Sequence, residues 1–306
     1  MSVTVRVPAK VNVQLGVGGL RADGFHDLTN VFFAVALGDE VTAGPGTEGV
    51  TLSCEGPGAD QVPLDGHNLA AKAARLLAAH HGLPEPTVHL HIAKAIPVAG
   101  GMAGGSADGA AALLACDALW GLGTPRPALL ELAAELGSDV PFALFGGVAL
   151  GRGRGELLEA LPVTGTFHWV FAVADGGLST PAVFRECDRL REAAGLGSSD
   201  VDFPTPELSA ALVDALAVGD PKALATALTN DLQPPAVSLR PSLQATLDTG
   251  LAAGALAALV SGSGPTCAFL APDAATAERL AEALRTSGTC RDAHATYGPV
   301  PGATVL

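Results

Sequence analysis

The glycine-rich segment 97–108, which reads PVAGGMAGGSAD, could bind an anion through its main chain. Glycine adopts positive φ and lets the backbone approach a ligand closely, so that successive N–H groups can converge on one phosphate. The segment lies between a strand-like run, 88–92, and an Ala/Leu-rich helical run, about 106–119. A helix N-terminus adds unpaired N–H groups and the positive end of a dipole. We therefore predict a phosphate-binding loop, with Ser106 as the N-cap of the helix that follows.

This segment differs from two widespread phosphate-binding loops. No Gly-Lys-Ser/Thr follows it, as a Walker loop requires, and the first βα unit and later ribose-binding acid of a Rossmann fingerprint are missing. The alternative interpretation is a flexible surface loop followed by an ordinary capped helix. Glycine-rich loops are common, but GGxxGGS between a strand and a helix is much rarer, which favours the phosphate loop.

Two charged residues are candidates for chemistry beside a bound phosphate. Phosphoryl transfer to an alcohol needs an acceptor oxygen held in line, neutralised phosphoryl charge and usually a carboxylate near the hydroxyl proton. Asp139, in the GSDVP segment 137–141, is our candidate for the carboxylate. An N-cap or Asx-turn aspartate fits this local sequence equally well. Lys10 is the candidate cation, and a solvated charge on a strand is its alternative.

Four segments, in order and spread over nearly the whole chain, resemble motifs of the GHMP kinase superfamily. They are PAKVN at 8–12, PVAGGMAGGS at 97–106, NDLQP at 230–234 and GSGPT at 262–266. The resemblance implies an α+β, two-lobed GHMP kinase fold, with ATP and Mg²⁺ as cofactors. It implies a ribosomal protein S5 domain 2-like N-terminal lobe over 1–155 and a ferredoxin-like C-terminal lobe over 156–306.

A further segment, RADGFH at 21–26, is similar to one in the 4-diphosphocytidyl-2-C-methyl-D-erythritol kinases of the non-mevalonate isoprenoid pathway. Other GHMP kinases generally lack it. The resemblance implies phosphorylation of the 2-hydroxyl of that substrate, with Asp139 as base and Lys10 as its electrostatic partner. Aromatic rings stack on bases and a histidine can read a base edge. Cytosine would accordingly lie between Phe25 and Phe184 beside His26, and core packing is the alternative for both phenylalanines.

The resemblance also implies which other residues bind ligands. The ATP-binding candidates are Pro97, Val98, Ala99, Gly100, Gly101, Met102, Ala103, Gly104, Gly105, Ser106, Ala107 and Asn68. The substrate-binding candidates are Asn12, Phe25, His26, Thr180, Phe184, Gly262, Ser263 and Gly264. A plain helix N-cap is the alternative for Asn68. We expect Gly262–Pro265 to form a tight turn and Asn230–Asp231 to brace the site, and no acidic pair identifies the Mg²⁺ ligands.

Apolar periodicity predicts the elements that must position these residues. Strands are predicted at 3–15 with a break or bulge at Pro8, and at 28–37, 88–92, 168–173, 256–260 and 266–270. Helices are predicted at 68–81, 106–119, 127–136, 181–194, 205–217, 221–228 and 242–253, with a terminal helix at 274–286. Asp139 is predicted at a strand edge or turn, and 146–155 as a connection between lobes. Strand runs beside separate helices, without regular βαβ alternation, indicate α+β.

Composition limits the remaining functions. The chain has 306 residues, 48% of them hydrophobic, which allows one or two domains with large cores. A formal charge of −14 without a basic cluster argues against nucleic acid or anionic membranes as partners. Short apolar runs, no signal-like N-terminus and five scattered cysteines without CxxC predict a soluble cytoplasmic protein without zinc or disulfides. Oligomeric state stays open, as do two rivals: another GHMP kinase, such as homoserine or mevalonate kinase, and a non-catalytic nucleotide-binding protein of this fold.

Overall fold

A computed structural model describes residues 2–22, 24–98, 100–197, 203 and 206–306 of the chain. The first half contains β1 (Val3–Leu20), β2 (His26–Pro45), β3 (Val50–Glu55), a 3₁₀ turn (Ala59–Gln61), α1 (Leu69–His80), β4 (Val88–Ala93), α2 (Gly104–Trp120), α3 (Arg126–Leu136), α4 (Val140–Phe145) and β5 (Val148–Arg152). Then follow β6 (Leu157–Ala160), β7 (Phe167–Val173), α5 (Thr180–Ala193), α6 (Ala210–Val218), α7 (Pro221–Ala227), β8 (Thr229–Asn230), α8 (Gln233–Leu239), α9 (Ser242–Ala252), β9 (Ala257–Val260), β10 (Cys267–Ala271), α10 (Ala274–Thr286), β11 (Asp292–Gly298) and β12 (Thr304–Val305). Asp23, Ala99 and Thr205, which belong to predicted segments, lie outside the described residues.

The larger sheet is built on the long antiparallel hairpin of β1 and β2. Its strand order is β12-β1-β2-β4-β3, while β5 pairs with β2, β6 with β5, and β8 with β1. The register of β1 on β2 shifts between Pro8 and Ala9, which confirms the predicted bulge; proline has no N–H to donate to a ladder. Helix α2, rich in alanine and buried on most sides, packs between this sheet and α1. That packing fixes the position of the glycine loop at its N-terminus.

The smaller sheet is antiparallel and comes entirely from the second half of the chain. Its strand order is β11-β7-β10-β9, and α8, α9 and α10 pack against its strands. Its core includes the buried residues Val170, Phe269 and Leu280. Strands β8 and β12, also from the second half, pair with β1 of the larger sheet. The two sheets with separate helices form the predicted α+β architecture, and the division at residue 155 stays a prediction.

Several predicted local features are wrong. Helix α2 begins at Gly104, so Ser106 lies inside it, and the N-cap is Ala103 in the left-handed region (φ 61°) without a side-chain cap bond. Asp139 does lie in a turn, as predicted, but the apolar run after it forms helix α4 and no strand; Pro141 is favourable in the first turn of that helix. Segment 146–155 contains β5, which pairs with β2 and so belongs to the larger sheet. Helix α10 is not terminal, since β11 and β12 follow it. No helix among the described residues is long and apolar enough to cross a membrane.

Candidate active site

A cavity of about 920 Å³ gathers most of the predicted site residues. Its volume suits a small-molecule ligand. The predicted residues that line it are Lys10, Asn12, Phe25, His26, Gly100, Gly101, Ala103, Gly104, Gly105, Ser106, Asp139, Thr180, Phe184, Gly262, Ser263 and Gly264. Residues from both halves of the sequence therefore line one cavity, and the glycine loop and Asp139 both border it.

Among the ATP-binding candidates that the structure describes, five do not line this cavity. Met102 and Ala107 are buried in the hydrophobic core of the larger sheet. Asn68 is the N-cap of α1: its Oδ1 accepts from the N–H of Ala70 at 2.8 Å and its Nδ2 donates to the carbonyl of Pro63 at 2.8 Å. The helix-cap alternative thus accounts for the Asn68 side chain. Pro97 and Val98 are also absent from the lining.

Lys10 joins the glycine loop to Asp139. Its Nζ donates to the Gly101 carbonyl at 2.9 Å and to Asn12 Oδ1 at 2.7 Å, and it lies 3.7 Å from Asp139 Oδ2. The Lys10 side chain is 7% exposed and that of Asp139 33%. Burial lowers the pKa of Lys10, and the nearby Asp139 carboxylate opposes that effect. The ammonium is thus held by three oxygens, and the carboxylate beside it remains open to the cavity.

Strand geometry explains why these polar groups meet. Residues two apart on a strand point to the same face, so Lys10 and Asn12 of β1 face the cavity together. Asn12 Nδ2 donates to Oδ1 of Asn30, which lies on β2. Asp139 precedes α4, but its side chain makes no cap hydrogen bond to that helix. The N-cap alternative therefore does not use up the carboxylate, which is available to a ligand.

The glycine loop interlocks with the turn after β9. A Cβ on Gly101 would lie 2.3 Å from the Ser261 carbonyl oxygen, and Gly101 has φ +74°. A Cβ on Gly262 would lie 3.1 Å from Asn12 Oδ1 and 3.2 Å from Lys10 Nζ, with φ +57°. Only glycine allows this approach without a shift of the backbone. The predicted turn is thereby packed directly against the Lys10 and Asn12 side chains.

Asn230 holds this turn in place, as the bracing prediction requires. Its Nδ2 donates to the carbonyls of Val260 at 2.7 Å and Gly262 at 2.8 Å. Its Oδ1 accepts from the N–H of Leu232 at 2.9 Å, at the start of α8. Both the nitrogen and the oxygen of the Asn230 amide are hydrogen-bonded to the main chain, so this side chain stabilises the turn that lines the cavity.

Aromatic side chains line the other end of the cavity. Phe25 is 50% exposed, and the Arg154 guanidinium carbon lies 5.5 Å from its ring centroid. That exposure rules out core packing as the reason for Phe25. The Phe184 ring stacks on His26, with centroids 5.1 Å apart and an interplanar angle of 26°. The His26 Nε2 lies 2.9 Å from Asp188 Oδ1. Phe25 and Phe184 therefore face the same cavity, with the histidine beside Phe184.

A buried ionic cluster lies beneath the glycine loop. Lys94 Nζ contacts Asp39 Oδ2 and lies 2.8 Å from Asp108 Oδ2. Asp39 Oδ1 also accepts from the N–H groups of Ala95 at 2.6 Å and Ile96 at 2.8 Å. Burial raises the pKa of Asp108 to about 7 against the opposing charge of Lys94, and the second carboxylate, Asp39, adds to the rise. The cluster ties β2, the end of β4 and α2 together where the loop begins.

Sequence reasoning missed several of these residues. Asn30 follows from the register of the hairpin, because it lies diagonally across from Asn12. Asp188 is four residues after Phe184 on α5 and so shares its face, which is a readable helical signal. The remaining lining residues that were not predicted include Leu15, Leu20, Leu69, Ser138, Arg154, Leu178 and Arg185.

Comparisons with known proteins agree over the full chain. The family description "GHMP kinases N terminal domain" matches residues 68–147, and "GHMP kinases C terminal" matches residues 212–290. The chain is 67% identical to the 4-diphosphocytidyl-2-C-methyl-D-erythritol kinase of Streptomyces avermitilis, with all of both chains covered. It is 62% identical to the protein of the same name from Thermobifida fusca, covering 100% of this chain and 98% of that one.

The solved structures give the same fold. A crystal structure of 4-(cytidine 5'-diphospho)-2C-methyl-D-erythritol kinase superposes with a TM-score of 0.77 at 35% identity, covering 96% of this chain and 99% of that one. Homoserine kinase from Cytophaga hutchinsonii superposes with a TM-score of 0.73 at 21% identity, over 100% and 97% of the two chains. The second likeness is one of fold alone.

Proposed function

The chain belongs to the GHMP kinases and, within them, to the 4-diphosphocytidyl-2-C-methyl-D-erythritol kinases, and we propose that it transfers the γ-phosphoryl group of ATP to the 2-hydroxyl of 4-diphosphocytidyl-2-C-methyl-D-erythritol in the non-mevalonate isoprenoid pathway. The observation that carries the catalytic part is the position of Lys10. Its Nζ lies 2.9 Å from the Gly101 carbonyl and 3.7 Å from the Asp139 carboxylate. A phosphate on the loop and an alcohol beside the carboxylate would meet at this ammonium. A cytoplasmic location stays a prediction.

The proposed binding mode uses main-chain groups for the nucleotide. The N–H groups of the glycine loop and of the first turn of α2 receive the phosphates, since an α-helix leaves its first N–H groups unpaired. This explains how an acidic chain can hold a triphosphate, because the binding groups are dipoles instead of net charges. The cytosine ring stacks against Phe25 and Phe184, and His26 reads its edge. The diphosphate and erythritol span the distance from there to Asp139.

The proposed step transfers a proton from the substrate hydroxyl to Asp139 and the γ-phosphoryl group from ATP to the hydroxyl oxygen. Asp139 accepts the proton of the 2-hydroxyl, and the freed oxygen forms a bond to the γ-phosphorus. The bond between that phosphorus and the bridging oxygen to the β-phosphate breaks, and ADP leaves with the electron pair. Lys10 stabilises the negative charge that develops on the transferred group, in a site where burial reduces screening by water.

Mg²⁺ fits the oxygen groups of the cavity only as an ion shared with the nucleotide. The Asp139 carboxylate and the Ser106 hydroxyl are among the oxygen groups of this chain that line the cavity. Over the described residues, no three His, Cys, Asp or Glu side chains form a cage for an ion. Mg²⁺ usually takes one or two protein carboxylates together with substrate phosphates and water. Bound in this way, it would neutralise charge on the β- and γ-phosphates.

A coupled ADP-release assay tests the proposed reaction. Purified protein with ATP and Mg²⁺ is given 4-diphosphocytidyl-2-C-methyl-D-erythritol, homoserine or mevalonate in parallel. We expect substrate-dependent ADP release with the diphosphocytidyl compound alone, and product analysis should place the new phosphate on the 2-oxygen. Turnover of homoserine or mevalonate in its place would reject the assigned acceptor. No turnover of any acceptor, with ATP still bound, would favour the non-catalytic alternative.

Single substitutions test the two catalytic roles. Asp139→Asn removes the proton acceptor while keeping size, and Lys10→Met removes the ammonium. Each should lower kcat by about 10²–10⁴-fold while ATP binding changes little, because both groups act on the transferred phosphoryl and the hydroxyl. Asp248→Asn and Lys222→Met, exposed on α9 and α7, are matched controls that should keep full activity. Normal turnover by Asp139→Asn would remove Asp139 from the mechanism.

A further inference from the structure

We propose that Asp188 is a positioning residue that holds His26 in one tautomer and thereby makes the cavity select a cytosine over a uracil base. The inference deepens the proposed function and rests on it, because it assumes that a nucleobase occupies the aromatic end of the cavity. The observation behind it is the partly buried contact between His26 Nε2 and Asp188 Oδ1, which are 2.9 Å apart. Asp188 lies outside the motif segments of the sequence.

The contact fixes where the imidazole proton lies. A carboxylate can only accept hydrogen bonds, so the ring nitrogen that faces Asp188 must carry the hydrogen. In the neutral imidazole the other nitrogen, Nδ1, is then an acceptor. The side chains of His26 and Asp188 are 6% and 17% exposed, so water competes little for this bond. Within the described part of the chain, no group is hydrogen-bonded to Nδ1, and His26 lines the cavity.

An acceptor at this position distinguishes the two pyrimidines. Cytosine carries an amino group at C4, which donates, and uracil carries an oxygen there, which accepts. Nδ1 would accept a hydrogen bond from the cytosine amino group. Opposite the uracil oxygen, two acceptors would face each other, and no hydrogen would be available to join them. A buried polar pair left unmade in this way costs about 1–3 kcal/mol, which corresponds to about 5- to 150-fold in affinity.

Helix α5 is built to keep the imidazole in this state. Phe184 and Asp188 are four residues apart on the helix, and residues at that spacing lie on one face. Phe184 stacks on the imidazole ring while Asp188 binds its edge, so both the plane and the rotation of His26 are set by one rigid element. A histidine held only by stacking could present either nitrogen to the base.

Equilibrium binding of CDP and UDP tests the inference without requiring turnover. We expect the wild-type protein to bind CDP at least about tenfold more tightly than UDP, and Asp188→Ala to reduce that ratio at least fivefold. Asp188→Asn should reduce it less, because its amide can accept from Nε2–H or donate to Nε2. A purely structural role for Asp188 would weaken both nucleotides equally and leave the ratio unchanged. An unchanged ratio, or no preference in the wild type, would overturn the proposal.

The tautomer itself can be read by NMR. In ¹⁵N-labelled protein, His26 should give the pattern of a ring protonated on Nε2 only, and the pattern should become mixed in Asp188→Ala. Protonation of wild-type His26 on Nδ1 alone would refute the inference, whatever the binding data. The kinase assay tests the proposed reaction independently of this inference. A protein that prefers CDP through Asp188 but transfers no phosphoryl group would refute the reaction and support the inference.

Discussion

Replacing Lys94 by methionine should destabilise the protein strongly, although Lys94 is not in the cavity. Lys94 is the shared partner of two carboxylates, and the side chains of Lys94, Asp39 and Asp108 are 2%, 0% and 4% exposed. Methionine keeps much of the volume but leaves both carboxylates without their cation. Breaking a buried ion pair by removing one partner costs about 3–5 kcal/mol. We expect a loss of that size, since Asp39 keeps its two main-chain donors and Asp108 can become protonated.

Urea unfolding and thermal melts measure this loss. At about 2–4 °C per kcal/mol, Tm should fall by roughly 6–20 °C in Lys94→Met. Lys72→Met, on the exposed face of α1, is the matched control and should melt within about 2 °C of the wild type. A Lys94→Met protein that melts as the control does would refute the view that this cluster is an ion pair needing its cation.

The raised pKa of Asp108 in this cluster predicts how the stability of the protein depends on pH. The pKa of Asp108 is raised to about 7 in the folded protein, so between about pH 4 and 7 the folded state holds a proton that the unfolded chain has released. The free energy of unfolding should therefore fall as the pH rises through that range, and the whole of this loss is reached above about pH 7. Asp108→Asn cannot ionise and should flatten this part of the stability profile. An Asp108→Asn profile parallel to the wild type would exclude Asp108 as the titrating group.

Two further predictions concern the glycine loop. Gly101→Ala should lower kcat/KM at least tenfold, because the new methyl would lie 2.3 Å from the Ser261 carbonyl oxygen and separate the loop from the turn. Gly105→Ala, whose methyl would have no protein atom within 4 Å, is the control for stability, and equal melting temperatures of the two variants would contradict the argument. Ala103→Val should cost more than about 1 kcal/mol, since a β-branched residue is strained at φ 61°, whereas Ala103→Gly should be within about 1 kcal/mol of the wild type by urea unfolding.

Local sequence was sufficient for features that depend on one element. The strand alternation that places Lys10 and Asn12 on one face, the bulge at Pro8 and the glycine loop between β4 and α2 all follow from short-range rules. The predicted Ser106 cap was wrong because Ala103 adopts a left-handed conformation, which residue preferences alone do not predict. The resemblance identified Asp139, but its freedom from capping became visible only with α4 in place.

Features that depend on distant pairing could not be predicted in this way. Asp39 and Lys94 are 55 residues apart, and their contact follows from the pairing of β2 with β4. His26 and Asp188 are 162 residues apart, and they lie on β2 of the larger sheet and on helix α5. An isolated aspartate has many satisfactory surface positions, so its sequence context does not reveal a buried partner. Tertiary packing supplies this information, and helical spacing indicates only that Asp188 shares a face with Phe184.

The contacts of the cavity wall join the proposed nucleobase-binding residues to the proposed transfer site. Helix α5, which carries Phe184 and Asp188, begins at Thr180, whose hydroxyl is 2.8 Å from that of Ser263. Ser263 lies in the turn whose neighbour Gly262 packs against Lys10 and Asn12. Helix α5 is therefore connected, through the Thr180–Ser263 contact, to the same turn that meets Gly101 of the glycine loop. Because the interior is close-packed, a change of volume at this turn would be felt at the Lys10 ammonium that lies against it.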